Sequence, residues 1–297
     1  MVGNAVLDVT LNVQRFPRPG ESVLAESIMR APGGKGLNQA VAAQRAGAGV
    51  VFIAALGTDA AASEIEDALR REGFTGLRLI KPVQDTDVSI LTVTAEGENA
   101  IVTTVGCTQA SRPEGFTELL YDLRRDDFVL MQGNLSLVNT HVIADYARAR
   151  GAKVVINAAP WHWDETAILE KCEGVIANEG EIFDIYGQGN VQRSAAWLQS
   201  KGPSWVIVTL GANGCLLACE TGTAVVAGQT AKVADTSGAG DVFSGVLVAA
   251  LAQGRSLSDA INSGQQAAVL TVERAGTYAA IPSVDELAHI VGPSQSR

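Results

Sequence analysis

Apolar residues recur along this chain in two rhythms, short unbroken runs and helical stripes, and their alternation predicts the elements. A buried strand is expected over residues 5–7, ending at Asp8. Further strands are expected over 11–13 and 22–29, separated by the turn residues Pro17-Arg18-Pro19-Gly20. An alanine-rich helix is expected over 38–46, closed by Gly47, then a buried strand over 50–55 and a helix over 61–72 ending at Gly73. Residues 88–94 and 100–104 read as strands around the hairpin signal Glu96-Gly97-Glu98-Asn99. From residue 112 the rhythm changes. Helices over 113–123, 140–150, 164–169, 179–185 and 192–199 are interleaved with apolar strands over 128–131, 154–156, 175–176 and 206–209. Such alternation implies a parallel sheet covered on both faces. A late hairpin over 214–218 and 223–226, a strand-like stretch at 231–234, helices over 239–252, 257–272 and 283–290, and a fraying tail at 293–297 complete the pattern.

The chain carries no internal repeat, low-complexity linker or charge block. One α/β domain over 1–297 is therefore expected, with a small β-rich excursion drawn from about 9–32 and 86–105, where strands outnumber what a plain βαβ series needs.

Composition narrows the function classes. With 297 residues, 47% hydrophobic and 18% charged, the chain is globular. Its formal net charge of −10 disfavours nucleic acid and anionic membrane as partners. An anionic substrate would have to be gripped locally, by helix ends, a lysine or a metal. Cys107, Cys172, Cys215 and Cys219 read as free thiols of a reducing compartment, because Cys-x-x-x-Cys is not a usual zinc spacing and only three histidines exist. The opening Met1-Val2-Gly3-Asn4 has no basic leader character, and no apolar run approaches the ~20 residues of a membrane span. A cytoplasmic location is expected.

The candidate chemistry centres on Asp235-Thr236-Ser237-Gly238-Ala239-Gly240-Asp241, a glycine turn opening a long apolar helix. The N–H groups of Ala239, Gly240 and Asp241 would converge on a phosphate at the positive end of that helix. A bare anion site would not want Asp241; a site that moves a phosphoryl group to a hydroxyl would, because such a transition state needs little proton removal early on. Two commoner explanations fail. A Walker loop needs Gly-Lys followed by Ser or Thr, but Gly34-Lys35 is followed by Gly36. A dinucleotide fingerprint starting at Gly238 and Gly240 meets Phe243 where its third small residue belongs, which also weakens a nicotinamide oxidoreductase. An earlier turn, Gly33-Gly34-Lys35-Gly36-Leu37-Asn38, also opens a helix. Lys35 offers a point charge, and Asn38 a donor and an acceptor for a sugar-like pair of hydroxyls. The two turns read as halves of one cleft, or singly as structural turns.

Over nearly its whole length the chain resembles the ribokinase-like (PfkB) carbohydrate kinases. The late turn matches that family's C-terminal signature, and Gly33-Gly34-Lys35-Gly36 with Asn38-Gln39-Ala40 matches the N-terminal one in its ribokinase form. Asn178-Glu179-Gly180-Glu181 matches the Asn-x-x-Glu motif, and Thr209-Leu210-Gly211-Ala212-Asn213-Gly214 resembles the nucleotide loop. The resemblance implies a three-layer α/β sandwich, its central mostly parallel sheet covered by helices, with a small β-sheet lid. It implies ATP-dependent phosphorylation of a sugar hydroxyl, with Asp241 as base and the N–H groups of Gly238, Ala239, Gly240 and Asp241 as anion hole. Asp8, Gly34, Lys35, Asn38 and Asn134 would hold the sugar. Asn178, Thr209, Leu210, Gly211, Ala212, Asn213, Gly214, Gly240 and Gln265 would line the nucleotide. Glu181 would act on Mg²⁺ through water, and Asp235, Ser237 and carbonyls around Arg274 and Gly276 would form a K⁺ site. A homodimer through the lid strands is also implied.

The chain departs from the ribokinase pattern at three places. Val6 stands where a polar sugar contact is usual, Asn134 where a glutamate is, and Ala280 where a serine is. The first two bear on which sugar fits. The leading expectation is an ATP-dependent kinase of a pentose or related small sugar. A nucleoside kinase of the same fold and a non-catalytic sugar or nucleotide sensor are the alternatives.

Overall fold

The computed structural model describes residues 1–94, 98–163 and 165–292. Part of the expected hairpin turn, the first residue of the helix expected at 164 and the tail at 293–297 lie outside the described residues. The chain opens with β1 (Val6–Val13) and returns as β2 (Ala25–Gly33) straight into α1 (Lys35–Arg45). A βαβ unit follows: β3 (Val51–Ala55), α2 (Ala60–Arg71) and β4 (Gly76–Ile80). Next come β5 (Val88–Thr94), β6 (Asn99–Thr103) and the short helices α3 (Gly106–Ala110) and α4 (Pro113–Glu118). The alternating half runs β7 (Phe128–Gln132), α5 (Leu137–Ala149), β8 (Lys153–Asn157), β9 (Gly174–Asn178), α6 (Glu179–Tyr186), α7 (Val191–Gln199) and β10 (Trp205–Thr209). The hairpin β11 (Cys215–Cys219) and β12 (Gly222–Val226) precedes α8 (Ala239–Ala252), α9 (Leu257–Val272) and α10 (Val284–Val291).

A six-stranded sheet in the order β12-β11-β10-β9-β8-β7 forms the middle layer, parallel from β7 to β10 and antiparallel at the late hairpin. The parallel pair β3 and β4 extends it, because Val2 N–H donates to the Leu130 carbonyl at 3.0 Å and Gly3 N–H to that of Ile53 at 3.1 Å. Side chains alternate across this layer, as strand geometry demands. Leu130, Val155, Ile176 and Ile207 join one core with Val41 of α1, Val246 of α8 and Ile261 of α9. Met131, Ile156, Val175 and Val208 join a second core with Ile143 of α5, Ile182 of α6 and Leu198 of α7. Both faces are buried, which is why these strands read as unbroken apolar runs.

The smaller sheet has the order β2-β1-β5-β6, with β1 antiparallel to β2 and parallel to β5. β2 is mostly exposed, and Ile28, Met29, Ile101 and Val102 of this sheet face solvent. Among the described residues, no helix is long and apolar enough to cross a membrane.

Several elements differ from the sequence expectation. The strands expected at 5–7 and 11–13 are two ends of one strand, β1, whose middle is broken in pattern by the polar Asp8 and Thr10. α1 begins at Lys35 rather than at 38, because Gly34 with φ of 97° turns the chain directly into it. β4 and α3 carried no clear signal; β4 is half-buried throughout and shows neither a solid run nor full alternation. The helix expected over 113–123 stops at Glu118, and that over 164–169 is a 3-10 turn at Ala167–Lys171. Residues 231–234 form no strand. They lead a loop tied to the end of α9, with the N–H groups of Ala234 and Asp235 both donating to the Val272 carbonyl, at 2.7 and 3.2 Å.

Candidate active site

The first turn of α8 is held from three sides. Gly238, in the left-handed region with φ of 77°, swings the chain from loop into helix. No side chain caps this helix end. Ala239 N–H makes a long 3.4 Å contact with the Thr236 carbonyl, and the N–H groups of Gly240 and Asp241 have no acceptor among the described residues. Such an end favours an anion. The buried Asp241 accepts at Oδ2 from Asn38 Nδ2 (3.3 Å) and at Oδ1 from Gln39 Nε2 (2.9 Å), both on α1. From the strand ends, Asn157 Nδ2 donates to Ser244 Oγ at 2.8 Å, and Ser244 Oγ donates to the Gly240 carbonyl at 2.8 Å.

The earlier glycine turn is built against Asn4. Asn4 Oδ1 accepts from Gly36 N–H and the Asn4 carbonyl from Leu37 N–H, both at 3.0 Å. A Cβ on Gly36 would stand 2.6 Å from the Asn4 backbone N and O, so only glycine fits there. Gly33 pairs with Val6, and a Cβ on it would lie 2.0 Å from Asp8 Oδ2. Its bare backbone is what allows the Asp8 carboxylate to fold over this turn.

Asp8 is buried and accepts from Thr277 Oγ1 at 3.2 Å. Burial pushes its pKa up to about 6, the hydrogen bonds from Thr277 and Ser89 oppose that rise, and the Asp241 charge adds to it. Because the folded value lies above the unfolded one, this group's contribution to stability is greatest below pH 4 and is lost as pH rises through 6. At ~1.4 kcal/mol per unit the ionised Asp8 costs on the order of 3 kcal/mol at neutral pH. Asp8→Asn is expected to raise the Tm at pH 7 and to flatten its fall between pH 4 and 7. Thermal melts across that range check it; a lower Tm at pH 7 would contradict the assignment.

Across the cleft, Asn178 and Glu181 form a capping box at the start of α6. Asn178 Oδ1 accepts from Glu181 N–H and Glu181 Oε2 from Asn178 N–H, each at 2.8 Å. Burial pushes the Glu181 carboxyl up, the Lys35 charge opposes this, and the Asp241 charge reinforces it. Lys35, Glu181 and Asp241, in the first turns of α1, α6 and α8, are thus within electrostatic reach of one another. The two carboxylates suit a hydrated divalent cation that keeps several waters and shares substrate phosphates, as Mg²⁺ does. No group of three metal-ligating side chains occurs among the described residues.

Asp235 is half-buried, and both its oxygens are engaged, Oδ1 by Ser237 N–H (2.8 Å) and Oδ2 by Gly276 N–H (2.9 Å). Burial pushes its pKa up, but these donors outweigh that and hold it below the usual range. A K⁺ ion here would share those oxygens and draw the remainder from carbonyls. The Arg274 guanidinium pairs with Glu286, whose carboxyl it holds down to about 2. Ala280 is fully buried.

A cavity of about 590 Å³ opens beside Gly240. Thr209, Gly211, Ala212 and Gly214 line one wall, Phe243 and Gln265 another, and the loop carrying Gly228, Gln229 and Thr230 closes it. Leu210, Asn213 and Asn178 are not part of its lining. Gln265 is buried, with Nε2 donating to the Val226 carbonyl at 3.4 Å. Gly214 and Gly228 lie back to back: a Cβ on Gly228 would meet the Ala212 carbonyl at 2.1 Å. Asn134, just past β7, is buried and its Oδ1 has no partner; the same holds for Asn38 Oδ1. Two buried acceptors lacking donors are costly unless a ligand supplies them.

The sequence alone points to no role for Asn4, Gln39, Gln132, Asn157, Ser244 or Thr277. Gln39 stands within the Asn38-Gln39-Ala40 stretch, which is its one local signal. The others depend on partners far along the chain.

The family model for pfkB family carbohydrate kinases matches residues 1–284. A ribokinase of Haemophilus influenzae is 30% identical over 292 residues, covering 96% of this chain and 95% of that protein. A deoxyribokinase of Salmonella typhi is 26% identical over 293 residues, covering 96% of each. The crystal structure of a ribokinase from Thermotoga maritima superposes with a TM-score of 0.87 at 27% identity, over 98% of this chain and 99% of that one. With the sheet order and the paired glycine turns, these matches place the chain in the pfkB family of carbohydrate kinases.

Proposed function

We propose that this enzyme transfers the γ-phosphoryl group of ATP to a hydroxyl of a pentose or a related small sugar. The observation that carries the reading is the position of Asp241. It is hydrogen-bonded to Asn38 of the early glycine turn and adjoins Gly240, which lines the 590 Å³ cavity. A carboxylate there stands between a space for hydroxyls and a space for a nucleotide. Asp241 takes the proton of the attacking hydroxyl. The open N–H groups of Gly240 and Asp241, with those of Gly238 and Ala239 beside them, receive the charge of the transferring phosphoryl group. Mg²⁺, when bound, neutralises phosphate charge; Glu181 would hold it through water, opposite Lys35. Asp235 and carbonyls near Gly276 would hold K⁺.

Asp8, Asn38 Oδ1 and Asn134 Oδ1 are acceptors, so a substrate rich in hydroxyl donors satisfies them, with Gly34 and Lys35 completing the pocket. Val6 stands where the ribokinase pattern has a polar sugar contact; its side chain is fully buried beside Gly33 and supplies no hydrogen-bond partner. That favours a deoxygenated position on the sugar, and both ribokinases and deoxyribokinases are among the relatives. An ATP-coupled screen over pentoses, hexoses, their deoxy forms and nucleosides, run with and without K⁺, tests the reading. ADP release with a pentose supports it. Release with nucleosides alone moves the assignment to a nucleoside kinase, and sugar binding with no ADP release supports a sensor. An unchanged rate without K⁺ removes the K⁺ site. The exposed apolar face and open edges of the smaller sheet fit a homodimer through the lid, which light scattering reports. ATP consumption in a chain with four free thiols fits the cytoplasm.

A further inference from the structure

Asp241 is gripped by an amide chain that begins on the other side of α1. Gln132, the last residue of β7, donates from Nε2 to Gln39 Oε1 at 2.7 Å, and Gln39 donates from Nε2 to Asp241 Oδ1 at 2.9 Å. Both glutamines are fully buried. The order of this chain matters. A glutamine amide can sit either way round, and the wrong way would aim a carbonyl oxygen at the Asp241 carboxylate. The Asp241 carboxylate can only accept, so Gln39 gives it the NH₂ end and turns Oε1 to the Gln132 donor, while Gln132 Oε1 is buried without a partner. Gln132 is seated in turn by Gly3, where a Cβ would lie 1.9 Å from Gln132 Oε1. No other role calls for two fully buried amides here, since α1 and α8 already pack through Gly245 against the backbone and methyl groups of α1.

We infer that Gln39 is a positioning residue for the reaction, locked by Gln132, that sets the carboxylate plane of Asp241 so that Oδ2 faces the hydroxyl to be deprotonated. This rests on the reading of Asp241 as the base. With Oδ1 bound to Gln39, Oδ2 is the oxygen shared with Asn38, the residue at the sugar side of the cleft. Loss of the Gln39 bond leaves only the longer 3.3 Å contact from Asn38, about which the carboxylate plane can turn. The proton acceptor is then misaligned while the substrate pockets stay intact.

The test is a set of variants assayed for kcat, for KM of sugar and ATP, and for Tm. Gln39→Met keeps length and volume, and is expected to lower kcat roughly 10- to 100-fold with both KM values within about threefold of wild type. Gln132→Met should give a smaller loss, and the double variant no more than Gln39→Met alone, because the chain passes through Gln39. Gln39→Glu supplies a signature that packing cannot imitate. A protonated carboxyl can still donate to Asp241 and an ionised one cannot, so the kcat ratio of Gln39→Glu to Gln39→Met should rise as pH falls. A Gln39→Met variant with near-wild-type kcat, whatever its Tm, overturns the inference. If that variant does not fold, an unchanged kcat in Gln132→Met does the same. Asp241→Asn separates the two readings. If it retains turnover, the base assignment fails; if it is inactive while Gln39→Met is not, only the role of Gln39 falls.

Discussion

Asp241→Asn is expected to lower kcat by about 10²- to 10⁴-fold, the range a positioned base contributes, while ADP still binds. The substitution keeps shape and removes the proton acceptor. It also turns two favourable contacts against each other. Asn38 and Gln39 both present NH₂ groups to this carboxylate, and an amide can accept at only one of its two ends. One donor must then face a donor, so a modest fall in Tm should accompany the kinetic loss. Asp241 is not part of the lining of the cavity beside Gly240, so the change leaves that space intact. Steady-state kinetics with calorimetric ADP titration decide the matter, and turnover near wild type would remove Asp241 from its assigned role.

Gly245→Ala is expected to damage stability and turnover together, although it sits a full turn from the chemistry. Replacing a helical glycine by alanine ordinarily gains about 0.5–1 kcal/mol. Here the new Cβ would meet the Gln39 carbonyl at 2.4 Å and the Ala42 Cβ at 2.9 Å. α1 cannot yield the end of a flexible side chain at that point; its backbone must move. Overpacking of this kind costs typically 1–3 kcal/mol, so the clash outweighs the propensity gain. The displaced helix carries Asn38 and Gln39, and a shift approaching 1 Å can cost about 10²-fold in rate. Melting and kcat should fall together, with Gly106→Ala, whose Cβ meets nothing within 4 Å, as the neutral control. A variant that melts lower but keeps its kcat would show that α1 need not be held so closely.

The parallel half of the fold is legible in sequence because β7 to β10 are buried on both faces, and nothing polar interrupts their short runs. α8 is legible for the same reason in helical form, and α9 by a helical stripe in which Ala260, Ile261, Gly264 and Ala267 are buried. β1 is harder, since Asp8 and Thr10 stand inside it to serve positions other than the core. The stretch at 231–234 looks like a strand from its apolar residues, yet its backbone donors go to the end of α9. Within the candidate site, the residues in the glycine turns are visible because a turn is a local event. The residues that hold those turns are not. Gln39 meets a partner 202 positions away, Gln132 one 93 positions away, and Thr277 one 269 positions away. Local patterning carries no trace of such pairs.

The root of β1 has a mechanical consequence. Asp8 lies two residues beyond Val6, where the strand leaves the body, whereas the tip at Val13 lies seven beyond. At ~3.3 Å per residue those distances are about 7 and 23 Å, so for a rigid swing about Val6 the motion at Asp8 is geared down roughly threefold. A swing of several ångströms at the tip would move the carboxylate by little more than one. β2 runs without a break through Gly33 into α1, so the same swing pulls on the glycine turn from the other side. Through that geometry, any displacement of the sheet's outer end would reach the acceptor side much reduced.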